Sequence, residues 1–245
     1  MNKYKLTIEY DGTQFVGWQK QKNGKSIQSS IERSIKKISN EKITLFGAGR
    51  TDSGVHAKGQ SAHFELKKKF ELNKLKDGLN FYLRPLPISI LNIKPASKKF
   101  HARFSAKQRT YEYIIVNRRS PLTFQSNQAW IIYKKLNVKK MKEAIKYFIG
   151  KKNFNSFRSI NCQSSSSLKT IDKCIINKKG NYIYLLFSAK SFLHSQVRIM
   201  VGTLVEVGKE NIEPKEILKI IKSKDRAKAG PTAPANGLYL KKIKY

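Results

Sequence analysis

The sequence predicts an α+β fold with mainly antiparallel sheets, organised as two similar subdomains. Short runs in which apolar and polar residues alternate, typical of half-buried strands, occur in both halves of the chain. Between them lie segments with apolar residues three and four positions apart, typical of helices that pack one face against a sheet. In the first half the elements follow in the order β-α-β-β-α-β, the ferredoxin-like plan, and the second half repeats it in outline.

The first subdomain is predicted over residues 1–103. Its strands are expected at 4–10, 43–46, 60–65 and 88–93. Ser26 can cap a first helix, in which isoleucines recur at helical spacing from Ile27 to Ile38. Asn73 can cap a second helix, which Pro85 would stop.

The second subdomain is predicted over residues 104–245. A long strand is expected within 104–116, and further strands at 130–133, 171–177, 182–189 and 237–243. Asn137 is expected to cap a helix that reaches 148 and that Gly150 closes, and a further helix is expected over 195–207. Pro214 suits the first turn of another short helix. A central cleft flanked by the two sheets would be the natural place for an active site.

The chain is strongly basic. It has 50 lysine and arginine residues against 16 acidic ones, a formal net charge of +34 over 245 residues. So large a charge is self-repelling unless the partner is a polyanion, which favours nucleic acid first and an anionic membrane surface second. Heavy use of Lys, Asn and Ile, as in chains from AT-rich genomes, offers a compositional explanation for part of the excess. The lysine runs at 67–69 and 139–140 are therefore interpreted as solvated faces.

Several classes of protein are disfavoured. The first ten residues carry charges throughout, unlike a signal peptide, and no apolar run approaches membrane-spanning length. Cys162 and Cys174 have no metal-ligand spacing with the four histidines. We therefore expect reduced thiols, no metal site and a cytoplasmic protein that does not bind a membrane.

Residues 47–57 form the most distinctive stretch, a glycine-rich loop between two predicted strands. It places one carboxylate, Asp52, beside the cation Arg50. Such a loop is a common way to present a reactive side chain. Two other interpretations remain open at this point. The loop could cradle a phosphate, although it lacks the lysine-hydroxyl ending of a P-loop, or it could be an ordinary hairpin turn.

The loop resembles the catalytic loop of the TruA family of tRNA pseudouridine synthases, which act on the anticodon stem-loop. Four further stretches resemble the family's remaining motifs in the right order. They are 100–104 with 109–113, 154–158, 191–198 with 200–204, and 233–240. Five motifs in order are a specific signal, and they span nearly the whole chain.

The resemblance implies isomerisation of uridine to pseudouridine at tRNA positions 38, 39 and 40, with Asp52 as the nucleophile. No metal or redox cofactor is needed for that reaction. Arg198 would pair with the ionised carboxylate, since a cation favours the charged form. Tyr111 would stack on the uracil and help to move the C5 proton. Without the resemblance, Arg198 would be interpreted as a surface charge and Tyr111 as a core aromatic.

Further roles are carried over from the family in the same way. Arg50 would help to flip the target base, and Leu240 would form a wall of the pocket. His56 and His63, in contrast, are interpreted as packed side chains rather than as acid-base groups. The residues expected to contact tRNA are Phe100, His101, Ala102, Arg103, Phe104, Arg109, Arg158, Ser159, Ile160, Asn161 and Cys162.

The resemblance also implies the partners, namely tRNA through its anticodon stem-loop and a second copy of the chain in a homodimer. Two alternatives from other classes stay open. A non-catalytic RNA-binding protein would suit the net charge and the sheets, and it would tolerate loss of the Asp52 carboxylate. A phosphate-handling enzyme would use the glycine loop and would bind nucleotides without RNA.

Overall fold

The computed structural model describes residues 1–124 and 126–245. It shows an α+β protein with a large, mixed and mostly antiparallel sheet, which confirms the predicted class. The chain divides into two compact units. Unit 1 comprises residues 1–107 and 239–245, and unit 2 comprises residues 108–238.

The chain order of the elements in unit 1 begins as predicted. Strand β1 lies between two antiparallel neighbours, β3 and β4, and β2 pairs antiparallel with β3. The elements are β1 (Asn2–Tyr10), α1 (Ile27–Ser39), β2 (Phe46–Gly47), β3 (His56–Leu66), α2 (Leu72–Leu83) and β4 (Ile88–Pro95).

In unit 2, strand β5 pairs antiparallel with β9, β9 with β8, and β8 with β7, whereas β6 pairs parallel with β5. The elements are β5 (Gln108–Asn117), β6 (Trp130–Ile132), α3 (Val138–Ala144), β7 (Gly150–Asn153), β8 (Leu168–Lys179), β9 (Tyr182–Ala189), α4 (Gln196–Gly208) and α5 (Glu216–Ser223).

The last strand, β10 (Leu238–Lys244), belongs almost entirely to unit 1 although it ends the chain. It pairs parallel with the beginning of β3, where Tyr239 lies opposite His56 and Leu240 opposite Ala57. The C-terminus is thereby joined to the strand that follows the glycine-rich loop.

The core of unit 1 follows the predicted hydrophobic pattern. Tyr4, Leu6 and Ile8 are buried on alternate positions of β1. Ser26 caps α1 as expected, because its side chain accepts a hydrogen bond from the Ser29 N–H at 3.1 Å. The isoleucines at the start of α1 are fully buried, which fixes that face of the helix against the core.

Two predictions about unit 1 are wrong in detail. The strand expected over 43–46 is reduced to Phe46–Gly47, because α1 side chains bond the backbone before it. Glu32 accepts from the Leu45 N–H and Gln28 donates to the Leu45 carbonyl. The second helix begins at Leu72 rather than after Asn73, with Glu71 at the N-cap and without a side-chain cap.

The long strand expected within 104–116 is β5, which begins at Gln108 after a turn at 101–105 closed by the Ser105 N–H and the His101 carbonyl. Two predictions about unit 2 need correction, and one strand was missed. The helix expected to reach 148 ends at Ala144 and continues as a 3-10 turn. Strand β7 was not predicted. Pro214 precedes α5, which begins at Glu216, rather than opening it.

None of the helices in the described part of the chain is both long enough and apolar enough to cross a membrane.

Candidate active site

The loop that carries Asp52 is held at its beginning by β3. The Ala48 N–H donates to the Ser61 carbonyl at 2.7 Å, and the side-chain amide of Gln60 donates to the Gly49 carbonyl at 2.8 Å. Ala48 and Gln60 are both buried. The start of the loop is therefore fixed to a strand of the sheet rather than left as an exposed turn.

The middle of the loop is held by the end of β1 and the segment that follows it. The Trp18 N–H donates to the Thr51 carbonyl at 3.0 Å, and the hydroxyls of Tyr10 and Thr51 lie 2.8 Å apart. Ser53 donates its hydroxyl hydrogen to the Phe15 carbonyl at 3.1 Å. The residues on both sides of Asp52 are thus fixed by hydrogen bonds from another segment.

Glycine is needed where that segment meets the loop. A Cβ on Gly17 would lie 2.7 Å from the Thr51 carbonyl oxygen, and Gly17 also has a φ of +111°. A Cβ on Gly12 would lie 2.1 Å from the Val55 oxygen. The two glycines allow the backbones to approach closely enough for the hydrogen bonds described above.

Asp52 lies in the middle of this braced loop. It is half-buried, whereas Arg50 is exposed, and Thr51 between them is buried with its hydroxyl bonded to Tyr10. Leu240 is fully buried on β10, opposite Ala57. Unit 1 therefore contains three of the five residues predicted for catalysis and substrate binding, all on or beside the loop.

Tyr111 and Arg109 lie on strand β5 of unit 2. The ring of Tyr111 is half-buried and makes an edge contact with Phe192 at a centroid distance of 5.3 Å. Arg109 donates to the Lys190 carbonyl. Both contacts are with the segment between β9 and α4, so this segment positions two of the predicted residues.

Arg198 lies in the first turn of α4. Its Nε donates to the Ala233 carbonyl at 2.8 Å, and the Ala233 N–H donates to the Arg198 carbonyl at 3.1 Å. Arg198 acts electrostatically on Tyr113 of β5, whose pKa is raised by burial and partly lowered again by that cation. The Tyr113 hydroxyl donates to the Pro234 carbonyl at 2.8 Å, so the Tyr113 and Arg198 side chains bond to neighbouring residues of one segment.

The predicted contact segment 158–162 packs against the same region of unit 2. Arg158 donates to the Cys162 carbonyl at 2.9 Å, and the Ser159 N–H donates to the His194 carbonyl at 3.2 Å. The His194 N–H points to the sulfur of Cys162 at 3.4 Å. Ile160 is 94% exposed and Asn161 is exposed, which leaves the tip of this segment open to a partner.

The predicted contact segment 100–104 belongs to unit 1 and covers β3. Ala102 is buried and donates its N–H to Nδ1 of His63 at 3.1 Å, whereas Arg103 and Phe104 are exposed. Phe100 and His101 are half-buried. The segment thus presents cationic and aromatic side chains on a backbone that is anchored to the sheet.

His56 and His63 are packed, as the sequence analysis expected. They are 1% and 3% exposed, and His56 stacks on Tyr239 at a centroid distance of 4.8 Å. Within the described residues, no group of three or more His, Cys, Asp and Glu side chains could hold a metal ion.

Known proteins resemble this chain over its whole length. A sequence model of a family described as tRNA pseudouridine synthase matches residues 6–105 and 144–245. The chain belongs to the tRNA pseudouridine synthase family. This confirms the resemblance found in the five motifs, the TruA family assignment and the predicted isomerase class.

Individual relatives within the family are close. The tRNA pseudouridine synthase A of Wolbachia pipientis wMel is 49% identical over 244 residues, which cover 99% of this chain and 100% of that protein. The proteins of the same name from Ehrlichia chaffeensis and Anaplasma phagocytophilum are each 50% identical, again over 99% of this chain and 100% of theirs. Tyr111 lies outside the two ranges that the family model matches, but inside the span of these relatives.

Two residues near the site were missed by the sequence analysis. Tyr10 was assigned only to a strand, yet its hydroxyl reaches Thr51 beside Asp52. Phe46 was assigned only to a lead-in strand, yet it is 45% exposed and its ring lies against His63 and His101. The one local signal for Tyr10 is its position at the end of an alternating strand, directly before Asp11-Gly12.

Proposed function

We propose that this synthase isomerises uridine to pseudouridine in the anticodon stem-loop of tRNA, at positions 38, 39 and 40, with Asp52 as the nucleophile. The observation that carries the proposal is the loop itself. Hydrogen bonds hold the loop on both sides of a half-buried carboxylate. Before it, Gln60, Trp18 and Tyr10 bond to Gly49 and Thr51, and after it the Ser53 hydroxyl donates to the Phe15 carbonyl. Holding a reactive group in the reactive geometry can lower the free-energy barrier of a reaction substantially.

The reaction is balanced without an outside reagent. The bond from N1 of uracil to C1′ of the ribose breaks, a bond from C5 to C1′ forms, the C5 proton leaves and N1 gains a proton. No electrons are gained or lost overall. Asp52 would either attack covalently or stabilise the cationic sugar when the base detaches, since an ionised carboxylate can do both.

Arg198 is the cation that we propose to face Asp52 during the reaction. Two hydrogen bonds between Arg198 and Ala233 fix the first turn of α4. A guanidinium fixed in this way favours the charged form of a nearby carboxylate. The pairing itself is inferred from the family resemblance.

Tyr111, Arg50 and Leu240 are proposed to receive the target uridine. Tyr111 would stack on the uracil and help to transfer the C5 proton, which agrees with a ring that is half-buried and set at right angles to Phe192. Arg50 is exposed beside Asp52 and would replace the base that leaves the stack. Leu240 would close the apolar side of the pocket.

The rest of the tRNA is proposed to contact segments 100–104 and 158–162, together with Arg109. Exposed cations, aromatic rings and the open tip at Ile160 suit an RNA backbone and unstacked bases. Binding should weaken steeply with salt, because the +34 charge releases counterions from the RNA.

The proposal includes the architecture that the resemblance implies. The subdomains at 1–103 and 104–245 would each be ferredoxin-like and would flank a central active-site cleft. Strand order β4-β1-β3 with β2 also on β3 supports this for the first subdomain. We further propose a cytoplasmic homodimer across which the tRNA lies.

The test is tritium release from a tRNA transcript that carries 5-tritiated uridine. We expect release by the wild type, and a loss by a factor on the order of 10³ or more in Asp52→Asn, which keeps the shape of the side chain but not its charge. Asp77→Asn, at an exposed carboxylate of α2, serves as the matched control and should release tritium normally.

Each outcome separates the alternatives. Release by Asp52→Asn at the wild-type rate would contradict the assignment of the nucleophile but keep the enzyme. Tight tRNA binding without release by the wild type, with a tRNA that a known relative modifies, would instead favour the non-catalytic RNA-binding protein. Nucleotide binding in the absence of any tRNA affinity would favour the phosphate-handling enzyme.

A further inference from the structure

A row of three side chains crosses the sheet of unit 1 just before the Asp52 loop. Lys5 of β1 lies opposite His63 of β3, and His63 lies opposite Phe46 of β2. Directly opposed residues in antiparallel strands point to the same face. This face is the reverse of the one on which Tyr4, Leu6 and Ile8 form the buried core.

Aromatic rings extend this row into an exposed surface. Phe46 stacks on His63 with a centroid distance of 5.1 Å and an interplanar angle of 21°, and lies 5.5 Å from His101. His101 is in turn 4.4 Å from Phe104. Phe46 is 45% exposed and Phe104 is 75% exposed. Two large apolar rings therefore face solvent, and both lie against His101.

The backbone beneath these rings is fixed. The Ala102 N–H donates to Nδ1 of His63, and the hydroxyl of Tyr245 donates to the Ala102 carbonyl at 3.0 Å. The Ser105 N–H donates to the His101 carbonyl at 2.9 Å. Rings that are already ordered lose little conformational entropy when a flat ligand stacks on them.

Cations lie beside Phe104 and beside two neighbouring half-buried rings, Phe100 and Tyr245. Arg103 lies 5.7 Å from the ring of Phe104, and Lys5 lies 5.2 Å from Phe100 and 3.6 Å from Tyr245. A second copy of this chain would bring like charges together on such a surface, which opposes association. RNA suits both the exposed rings and the cations, since its bases stack on aromatic rings and its phosphates are attracted to positive charge.

We propose that Phe46, His101 and Phe104 form a stacking platform for an unpaired nucleobase of the bound tRNA. The inference rests on tRNA as the proposed substrate and adds a base-binding subsite to it. Phe46 lies six residues before Asp52, on the strand that leads into the loop. The platform binds a base other than the uridine that reacts, and so contributes to substrate affinity rather than to the chemical step.

The test compares two substitutions at Phe46 that separate ring stacking from apolar bulk. Phe46→Leu keeps the bulk against His63 but has no flat ring, and Phe46→Trp keeps a ring. We expect Phe46→Leu to raise the Kd for tRNA about fivefold to a hundredfold with an unchanged slope of log Kd against log salt concentration. Phe46→Trp should bind like the wild type, and its added fluorescence should be quenched by tRNA.

The matched control is Phe81, which is 57% exposed in the same unit and has Arg84 stacked at 5.3 Å. Phe81→Leu should leave the Kd unchanged. Heparin, a polyanion without bases, should bind Phe46→Leu and the wild type equally. With saturating tRNA, Phe46→Leu should release tritium at the wild-type rate.

Three results would overturn the platform. They are an unchanged Kd in Phe46→Leu, an equal loss of heparin and tRNA affinity, and a change in sedimentation that shows Phe46 to be a contact between protein copies. Failure of the proposed isomerase would look different. In that case the wild type would release no tritium, while the dependence of tRNA binding on Phe46 would persist and would support the platform.

Discussion

The loop that carries Asp52 and the helix that carries Arg198 are fixed in different ways. The loop has no regular structure and depends on individual hydrogen bonds, among them Tyr10 to Thr51 and Gln60 to Gly49. Helix α4 has the Arg198–Ala233 hydrogen bonds but also makes a close backbone approach with its own glycine, whereas the glycines that approach the loop, Gly12 and Gly17, belong to another segment. A Cβ on Gly202 would lie 1.7 Å from the Pro231 oxygen, and one on Gly230 would lie 2.7 Å from Cα of Thr203.

The difference shows which kind of substitution each region should resist. A hydrogen bond can be deleted without introducing a clash, and the remaining structure keeps its shape at a modest free-energy cost. A backbone contact at Gly202 tolerates no added atom, because carbonyl oxygens cannot move aside as side chains can. Deleting a hydrogen bond of the loop should therefore loosen the loop gradually, whereas adding an atom at Gly202 should break the helix contact abruptly.

The largest effect should follow from Gly202→Ala. The added methyl group forces α4 away from the segment at 229–233, which also holds Arg198 through Ala233. We expect the free energy of unfolding in urea to fall by about 3 kcal/mol or more, although alanine favours a helix intrinsically.

The matched control for Gly202 is the helical glycine Gly78 of α2. Its Cβ would meet only the side chain of Ile38, at 3.1 Å. Gly78→Ala should change stability by less than about 1 kcal/mol in either direction. An unfolding midpoint of Gly202→Ala equal to that of the wild type would show that the close approach does not hold the helix.

A smaller effect is expected for the loop, from Tyr10→Phe. Thr51 is buried, so removing the Tyr10 hydroxyl leaves its oxygen without that partner, at about 1–3 kcal/mol. Because the loop loses its fixed geometry, the kcat of tritium release should fall while KM stays the same. The double variant Tyr10→Phe, Thr51→Val should recover part of the stability, since both polar groups are then gone.

Tyr4→Phe separates loop geometry from general stability. Tyr4 is also a buried tyrosine on β1, and its hydroxyl accepts the Phe70 N–H at 2.9 Å, away from the loop. Tyr4→Phe should lose about as much stability as Tyr10→Phe but keep the kcat of the wild type. Equal losses of kcat in both variants would mean that Tyr10 acts only through the stability of the fold.

The elements that could be predicted from sequence are those whose signal is local. The Ser26 cap, the spacing of isoleucines in α1 and the hairpin of β8 and β9 each depend on residues close in the chain. The shortened β2 could not be foreseen, because its backbone partners are side chains of α1. The parallel pairing of β10 with β3 places Tyr239 opposite His56, which are far apart in the chain, and leaves no local pattern.

The same limit applies to the site. Asp52 could be singled out because its glycine-rich surroundings and the family resemblance are both visible in the sequence. Tyr10 and Phe46 could not, because their importance lies in contacts with Thr51 and His101 that only the fold creates. The roles of Arg198, Tyr111 and the predicted tRNA contacts remain predictions.

The smallest of these effects should come from mild acid, acting through His63 of β3, which lies against Phe46. Burial, followed by the charges of His101 and Lys3, lowers the pKa of His63 to about 4, although Glu65 opposes the shift. In the unfolded chain His63 has an ordinary pKa near 6.5 and binds a proton first as the pH falls. Stability is therefore complete above about pH 6.5 and is lost as the pH falls towards 4.

Between pH 7 and pH 5 this should lower the free energy of unfolding by about 1–2 kcal/mol. His63→Gln removes the titrating group, while the glutamine amide oxygen can still accept the Ala102 N–H. Between pH 7 and pH 5 the variant should therefore lose about 1–2 kcal/mol less of its free energy of unfolding than the wild type does. His194→Gln, at an exposed histidine, should keep the wild-type dependence. Equal losses of stability by the wild type and His63→Gln between pH 7 and pH 5 would show that His63 is not held neutral beneath Phe46. The side of the sheet next to the loop would then not differ from the Gly202 contact in its response to mild acid.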